Sequence, residues 1–268
     1  DGQSSRGLGD VYKRQILPLD RELIQNPEGH YIIFATSQGR IKRSHLSDYV
    51  KINRNGKYAI KFAKDSDSLV QVRPATEEDH VVLVSSMGYA CRFLPSEAKT
   101  RVDAATGELV TTHTVRVQGR VSQGVAGMKL QSGDRVVGMI VTDDFDTSVL
   151  TISKHGMAKR SRLGSGSMVE IKLEDGTIAQ GDDGGPLMER DGYRKTNRGT
   201  KGVRTMALSD GDSIIGVRQI PDLSDQLFML TDKGMMIRMP ATQTKETLGK
   251  VTKGTRIMEL RTKDKKSY

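Results

Sequence analysis

IIFATSQGRIKRS (Ile32–Ser44), VVLVSSMGYACRF (Val81–Phe93), VLTISKHGMAKRS (Val149–Ser161) and LFMLTDKGMMIRM (Leu227–Met239) are four versions of one plan. Each opens with an apolar run of strand-forming residues, turns through polar residues to a glycine, and continues as a second, basic strand. The turn glycines are Gly39, Gly88, Gly156 and Gly234. Glycine suits that position because a tight hairpin needs a residue with positive φ. The fourth residue after each is an arginine: Arg43, Arg92, Arg160 and Arg238. Self-similarity at this scale marks an array of small β units.

Working outward, each unit carries a second glycine-centred loop that leads into another strand: NRNGKYAIKF from Asn53, GRVSQGVAGMKL from Gly119, NRGTKGVRTMAL from Asn197 and GKVTKGTRIMEL from Gly249. Their glycines are Gly56, Gly124, Gly202 and Gly254. A closing strand follows in the first three units, SLVQV from Ser68, DRVVGMIV from Asp134 and DSIIGV from Asp212. The reading is about four short strands per unit, blades arranged around an axis. The two glycines of a unit stand 17, 36, 46 and 20 residues apart. The surplus in the second unit contains RVDAATGELVTTH, and in the third VEIKLEDGTIAQGDDGGP. Both have a glycine turn between strand formers and read as inserted hairpins on the outer rim.

Composition narrows the function. The chain has 268 residues with 42 Lys and Arg against 33 Asp and Glu, a formal charge of +9 that suits a polyanionic partner. Aromatic residues are 4% and Trp is absent, which disfavours the stacking platforms of single-strand binders and favours duplex backbone. A single cysteine, Cys91, excludes a disulfide framework or cysteine-rich zinc site. No apolar run approaches a membrane span and no secretory leader is evident, so a cytoplasmic location is expected, with no membrane partner. Residues 1–15, DGQSSRGLGDVYKRQ, match nothing downstream and are set aside as a non-native or disordered leader.

The repeats resemble the β-pinwheel of the DNA gyrase A subunit, and of its topoisomerase IV relative, in the type IIA topoisomerase family. GRVSQGVAGMKLQSGDRVVGM from Gly119 and NRGTKGVRTMALSDGDSIIGV from Asn197 carry the resemblance, which covers about residues 16–262. It implies an all-β, propeller-like array of four-stranded blades with hairpin insertions, about four of a six-bladed domain truncated at its N-terminus. The expected division is a closing strand of a missing blade at 16–29, blades at 30–75, 79–143, 147–221 and 224–262, and a basic tail at 263–268. It further implies double-stranded DNA as partner, wrapped in support of ATP-dependent supercoiling. The protein's own catalytic domains and the gyrase B subunit would be the protein partners, with ATP and Mg used on other domains and no cofactor here. The alternatives are a propeller serving as a protein-interaction platform and a domain of the topoisomerase IV A subunit.

Duplex binding needs many cations along a path, because each neutralised phosphate releases counterions. The candidates on the second strands are Arg40, Lys42, Arg43, Arg92, Lys159, Arg160, Arg162 and Arg238. In the glycine-rich loops they are Arg54, Lys57, Arg120, Arg198, Lys201, Arg204, Lys250, Lys253 and Arg256. Arg120, Arg198 and Lys250 each precede the second glycine by four and are expected on one outer surface. With no recognition helix, binding should follow backbone charge and bendability rather than base sequence. Catalytic signatures are missing. Asp143–Asp144 and Asp182–Asp183 read as turn residues, His80, His113 and His155 as loop or strand-end residues, and Met235, Met236 and Met239 as core filling.

Overall fold

A hairpin offers two unpaired edges, and an array of hairpins is stable only if both are covered. The computed structural model describes residues 17–51, 55–173, 175–247 and 252–259. In chain order its elements are α1 (Arg21–Gln25), β1 (Tyr31–Thr36), β2 (Arg40–His45), α2 (Ser47–Val50), β3 (Leu69–Ala75), β4 (His80–Ser85), β5 (Tyr89–Phe93), β6 (Ala98–Val102), β7 (Leu109–His113), β8 (Val125–Ala126), β9 (Val136–Thr142), β10 (Ser148–Ser153), β11 (Met157–Arg162), β12 (Met168–Glu170), β13 (Met188–Arg190), β14 (Val203–Arg204), β15 (Ile214–Ile220), β16 (Gln226–Leu230), β17 (Met236–Pro240) and β18 (Thr255–Arg256).

Three sheets have four strands, in the orders β3-β1-β2-β8, β9-β4-β5-β14 and β15-β10-β11-β18. The fourth strand of each comes from the following repeat, so the expectation that one repeat supplies all four strands of its blade is corrected. The register is the same each time. Arg40 and Ile41 face Ala126 and Val125, Tyr89 and Ala90 face Arg204 and Val203, and Met157 and Ala158 face Arg256 and Thr255.

This exchange accounts for both repeated glycines. A Cβ on Gly39, Gly88 or Gly156 would lie within 2.6 Å of the carbonyl oxygen of Met128, Met206 or Met258, just past the donated strand. A Cβ on Gly124, Gly202 or Gly254 would lie within 2.4 Å of the carbonyl oxygen of Ile41, Ala90 or Ala158 on the accepting strand. Among the described residues the hairpin of Gly234 receives no strand and the loop of Gly56 enters no sheet, and both glycines have nothing within 4 Å.

The closing strands hold the opposite edge. Met139 N–H of β9 donates to Gln71 Oε1 of β3 (2.9 Å), and Gln219 Nε2 of β15 donates to Thr142 Oγ1 of β9 (3.1 Å). A recurring aspartate ties each closing strand to its own hairpin turn. Asp67 Oδ1 accepts from Ser37 Oγ and Gln38 N–H, Asp134 Oδ1 from Ser86 Oγ and Met87 N–H, and Asp212 Oδ1 from His155 N–H.

Both faces of β1, β4 and β10 are buried, which is why these first strands are unbroken apolar runs without alternation. Val81 and Leu83 of β4 pack with Ile33 and Phe93 toward the first blade, while Val82 and Val84 pack with Val149 and Ile214 toward the third. Each of these side chains is worth about 1.5–3 kcal/mol when fully buried. The insertions form β6–β7 and β12–β13, separate two-stranded units. Two further expectations are corrected. Residues 17–29 form no strand; they contain α1, with Leu17, Leu19 and Leu23 packed on Ile32 and Phe34. Of the methionines of the last hairpin, Met239 is buried but Met235 and Met236 are 69% and 65% exposed. Residues 1–16 and the tail from 260 lie outside the described residues.

Candidate nucleic-acid interface

The donated strands lie on the edge away from the packed closing strands, so the loops that lead into them form the outer rim. Each loop starts against the backbone of the arginine four past the turn glycine of the accepting hairpin. The backbone carbonyl of Arg43 accepts from Gln118 N–H (2.8 Å), that of Arg92 from Thr196 N–H (2.6 Å), and that of Arg160 from Thr247 N–H (3.0 Å). The chain then leaves the sheet edge and rejoins it at the second glycine. The result is a basic arc over each blade, 119–124 on the first and 197–202 on the second, with 252–254 the described part of the third.

The structure divides the seventeen candidate cations. Lys57, Arg162, Arg204, Arg238, Lys253 and Arg256 are exposed, and Arg40, Arg120, Arg198 and Lys201 are half-buried. Arg54 and Lys250 lie outside the described residues. Lys42, Arg43, Arg92, Lys159 and Arg160 are buried, and for these five the expectation of a phosphate contact is corrected. Desolvating a cation is unfavourable unless oxygen acceptors surround it, and each has them. Arg43 pairs with Glu77 (2.7 Å) and stacks 3.7 Å over the Tyr31 ring. Arg92 Nη1 donates to the carbonyls of Leu163, Gly164 and Tyr193, at the neck of the third-unit insertion. Burial lowers the Arg92 pKa to about 10, against the opposing pull of Asp191. Arg160 reaches Thr244 O and Glu246 (2.6 Å) of the fourth unit, and Lys159 Nζ donates to Thr205 O.

Among the half-buried cations, Arg40 donates to the carbonyls of Gln123 and Gly124, tying down the donated segment. Arg198 donates to Thr114 O and Ala126 O, bridging the first two blades. On the second blade Lys201 Nζ lies 4.1 Å from the Tyr89 ring centroid, and Arg204 donates to the Tyr89 hydroxyl (2.9 Å). The hydrogen bond from Lys201, with the Arg204 charge behind it, outweighs burial and draws the Tyr89 phenol below its ordinary pKa. Arg162 is engaged by Asp146 and Asp191.

The two insertions flank this rim. Lys99 of β6 donates to Asn197 Oδ1 at the start of the second arc, and Lys195 pairs with Glu97. The third-unit insertion is acidic, with Glu170, Glu174, Asp175, Asp182, Asp183, Glu189 and Asp191 against Lys172 and Arg190. Its neck, at Arg190 and Tyr193, lines a small cavity with Lys159 and Thr247. The carbonyl of Asp191 and that of Leu163 accept from Gly166 and Tyr193 N–H, so the neck is closed by backbone hydrogen bonds. Sequence reasoning missed the recurring aspartates Asp67, Asp134 and Asp212 as a structural set, although each stands just before a closing strand. It also missed Lys99 and Lys195, which share no repeat position. Among the described residues no three His, Cys, Asp or Glu side chains gather as metal ligands, and no helix is long and apolar enough to cross a membrane.

Hairpins that complete one another by strand donation, with closing strands packed at one edge and basic arcs at the other, define a propeller of the β-pinwheel class. The sequence matches the profile of the DNA gyrase C-terminal domain, beta-propeller, over residues 30–76, 110–143, 147–165, 188–221 and 225–265, and the chain belongs to that family. The gap at 166–187 is the body of the acidic insertion. The DNA gyrase A subunit of Staphylococcus epidermidis is 30% identical over 234 residues, 87% of this chain and 21% of the relative. Its Staphylococcus aureus counterpart is 27% identical over the same share. The chain thus spans about a fifth of the length of these curated relatives. Among solved structures, the C-terminal domain of DNA topoisomerase IV superposes with a TM-score of 0.64 at 19% identity, covering 86% of this chain and 58% of that one. The DNA gyrase A C-terminal domain gives 0.61 at 21%, covering 87% and 62%. At such identities the superpositions speak for the fold.

Proposed function

We propose that this chain is a DNA-wrapping module of a gyrase A subunit. It binds duplex through its outer rim and supports supercoiling together with that protein's catalytic domains and the gyrase B subunit. The observation that carries the reading is the basic arc repeated in one register on successive blades. Phosphates recur along a duplex, and a ligand of that kind calls for cations recurring along a surface. The contacts belong to the cations that remain exposed or half-buried: Lys57, Arg120, Arg198, Lys201, Arg204, Lys253 and Arg256, with Arg40, Arg238 and Arg162 beside them. The arcs present backbone and long cationic side chains, and no helix of groove-reading length is present among the described residues, so affinity should be tolerant of base sequence. Gyrase is favoured over topoisomerase IV by the curated relatives at 27–30% identity.

Anisotropy titration of duplexes of several sequences against the full chain tests this reading. If about six phosphates are neutralised, log K should fall against log salt with a slope of about −5. A salt-independent affinity, or strong preference for one duplex sequence, would refute it. Retention of supercoils by closed circular DNA relaxed in the presence of the chain would separate wrapping from simple binding.

A further inference from the structure

Five of the candidate cations are buried, and one of them sits directly beneath an arc. We propose that Lys42 is a positioning residue for duplex binding, holding the arc 119–124 from inside the first blade at the height where Arg120 meets a phosphate. The inference rests on the proposed function.

Lys42 is the third residue past the turn glycine and is 0% exposed. Its ammonium donates to Arg120 O, in the first half of the arc, and to Ala59 O of the first-unit loop, each at 2.5 Å, and to the Tyr49 hydroxyl at 3.3 Å. It lies 5.0 Å from the Phe34 ring centroid. The ends of the arc are fixed by Gln118 N–H on Arg43 O and by Gly124 pressed on Ile41 O. Between them the chain has left the sheet, and Lys61 N–H on Ser122 O joins the arc to the first-unit loop. The Lys42 bond fixes the carbonyl of the residue whose side chain, half-buried, is the first arc's own cation. On the second blade the corresponding residue is Cys91, whose thiol lies 3.6 Å from Asn197 O and makes only a weak hydrogen bond there. On the third blade it is Lys159, whose ammonium donates to Thr205 O.

A chemical signature follows from the burial. Desolvation lowers the Lys42 pKa to about 8, with Asp48 pulling it up and Arg120 pushing it down. The groups facing the ammonium are Tyr49 from α2, Ala59 O from the first-unit loop and Arg120 O from the arc, with the charges of Asp48 and Arg120 close by. A phosphate on Arg120 adds negative charge above a buried ammonium and favours its protonated form. Duplex binding should therefore take up a proton, and affinity should fall as pH rises through about 8.

The test is duplex affinity of the full 268-residue chain from pH 7 to 9.5 and at several salt concentrations, for the wild type, Lys42→Met and Asp48→Asn. Expected are a wild-type affinity falling several-fold over that pH range, and a Lys42→Met chain about tenfold weaker at pH 7, flat with pH, and shallower in salt slope by about 1. Asp48→Asn changes an exposed side chain, leaves the arc untouched and should move the pH midpoint downward. A folded Lys42→Met chain with wild-type pH profile and salt slope would overturn the proposal while leaving DNA binding standing. If Lys42→Met does not fold, an unmoved midpoint in Asp48→Asn overturns it equally. A wild-type chain that does not bind duplex removes both this proposal and the function beneath it.

Discussion

Strand donation makes a sharp distinction between two glycines that the sequence presents as equivalent. Gly202 and Gly56 hold the same repeat position and nearly the same backbone, φ +81° and +72°. An alanine at either must adopt a left-handed conformation, costing about 1–2 kcal/mol. At Gly202 its Cβ would also stand 2.1 Å from Ala90 O and 2.6 Å from Ala90 C, where no flexible side chain can move aside. Forcing donated and accepting strands apart is an overpacking of about 1–3 kcal/mol. At Gly56 nothing lies within 4 Å, so that cost is absent. Gly202→Ala should thus lose about 2–5 kcal/mol and Gly56→Ala about 1–2. In a domain of this size 1 kcal/mol moves Tm by about 2–4 °C, which separates the variants in a calorimetric or circular-dichroism melt. Equal shifts for the two variants would refute the argument that the second glycine is there for the approach of the neighbouring blade.

Arg92→Met removes the donor shared by three buried carbonyls and should destabilise by about 3–5 kcal/mol in urea titrations, whereas Arg256→Gln should stay within about 0.5 kcal/mol; comparable losses would contradict the division into inner and outer cations. Replacing Lys201 and Arg204 together by Gln should weaken duplex binding at every sequence and lower the salt slope by about 2 with the melt unchanged, and an unaltered slope would take the second arc off the DNA path. Deleting residues 166–187 and bridging the gap with a short Gly-Ser link removes an acidic body beside the third arc; duplex affinity should rise at low salt and the gain should shrink as salt is added, while no change at any salt would mean the insertion stands clear of DNA. His80 is held neutral to about pH 4 by burial and by the nearby charges of Arg92 and Lys195, and Arg92 Nε donates to its Nδ1. The unfolded chain therefore takes up this proton first as pH falls from 6.5, and stability contributed here declines between about pH 6.5 and 4; His80→Gln should flatten that part of a stability-against-pH curve.

The apolar runs, the turn glycines and the repeat order were legible because they are local: a hairpin is encoded within thirteen residues, and four copies make it unambiguous. The inserted hairpins were legible for the same reason, each carrying its own turn. What escaped was the ownership of the fourth strand. Val125–Ala126 follows its own repeat's hairpin in the chain and pairs with the preceding one, and two residues carry no pattern that declares a partner. The same blindness affected the site. Lys42 and Arg120 both read as basic residues of a repeat, yet one is a buried tie and the other part of the rim. Strand alternation did not sort them, because both faces of these sheets are covered and a cation on either face can be enclosed. The last hairpin shows the limit from the other side: Met235 and Met236 read as core, but among the described residues no further strand pairs with β17 and both are exposed.

Donation also sets a timetable. The first blade's β3 ends at Ala75, but its fourth strand, β8, begins only at Val125, about 50 residues later. At a synthesis rate of about 5–20 residues per second, the edge of β2 would wait some seconds uncovered on the ribosome, and the next two blades would wait for their donated strands in the same way. An unpaired strand edge is a template for pairing with another chain. Here the waiting edge carries Arg40 and Lys42, whose charges make a neighbouring basic edge a poor partner until the arc arrives to enclose the lysine. The cation that ends buried in the finished blade would, during assembly, disfavour pairing with another basic edge.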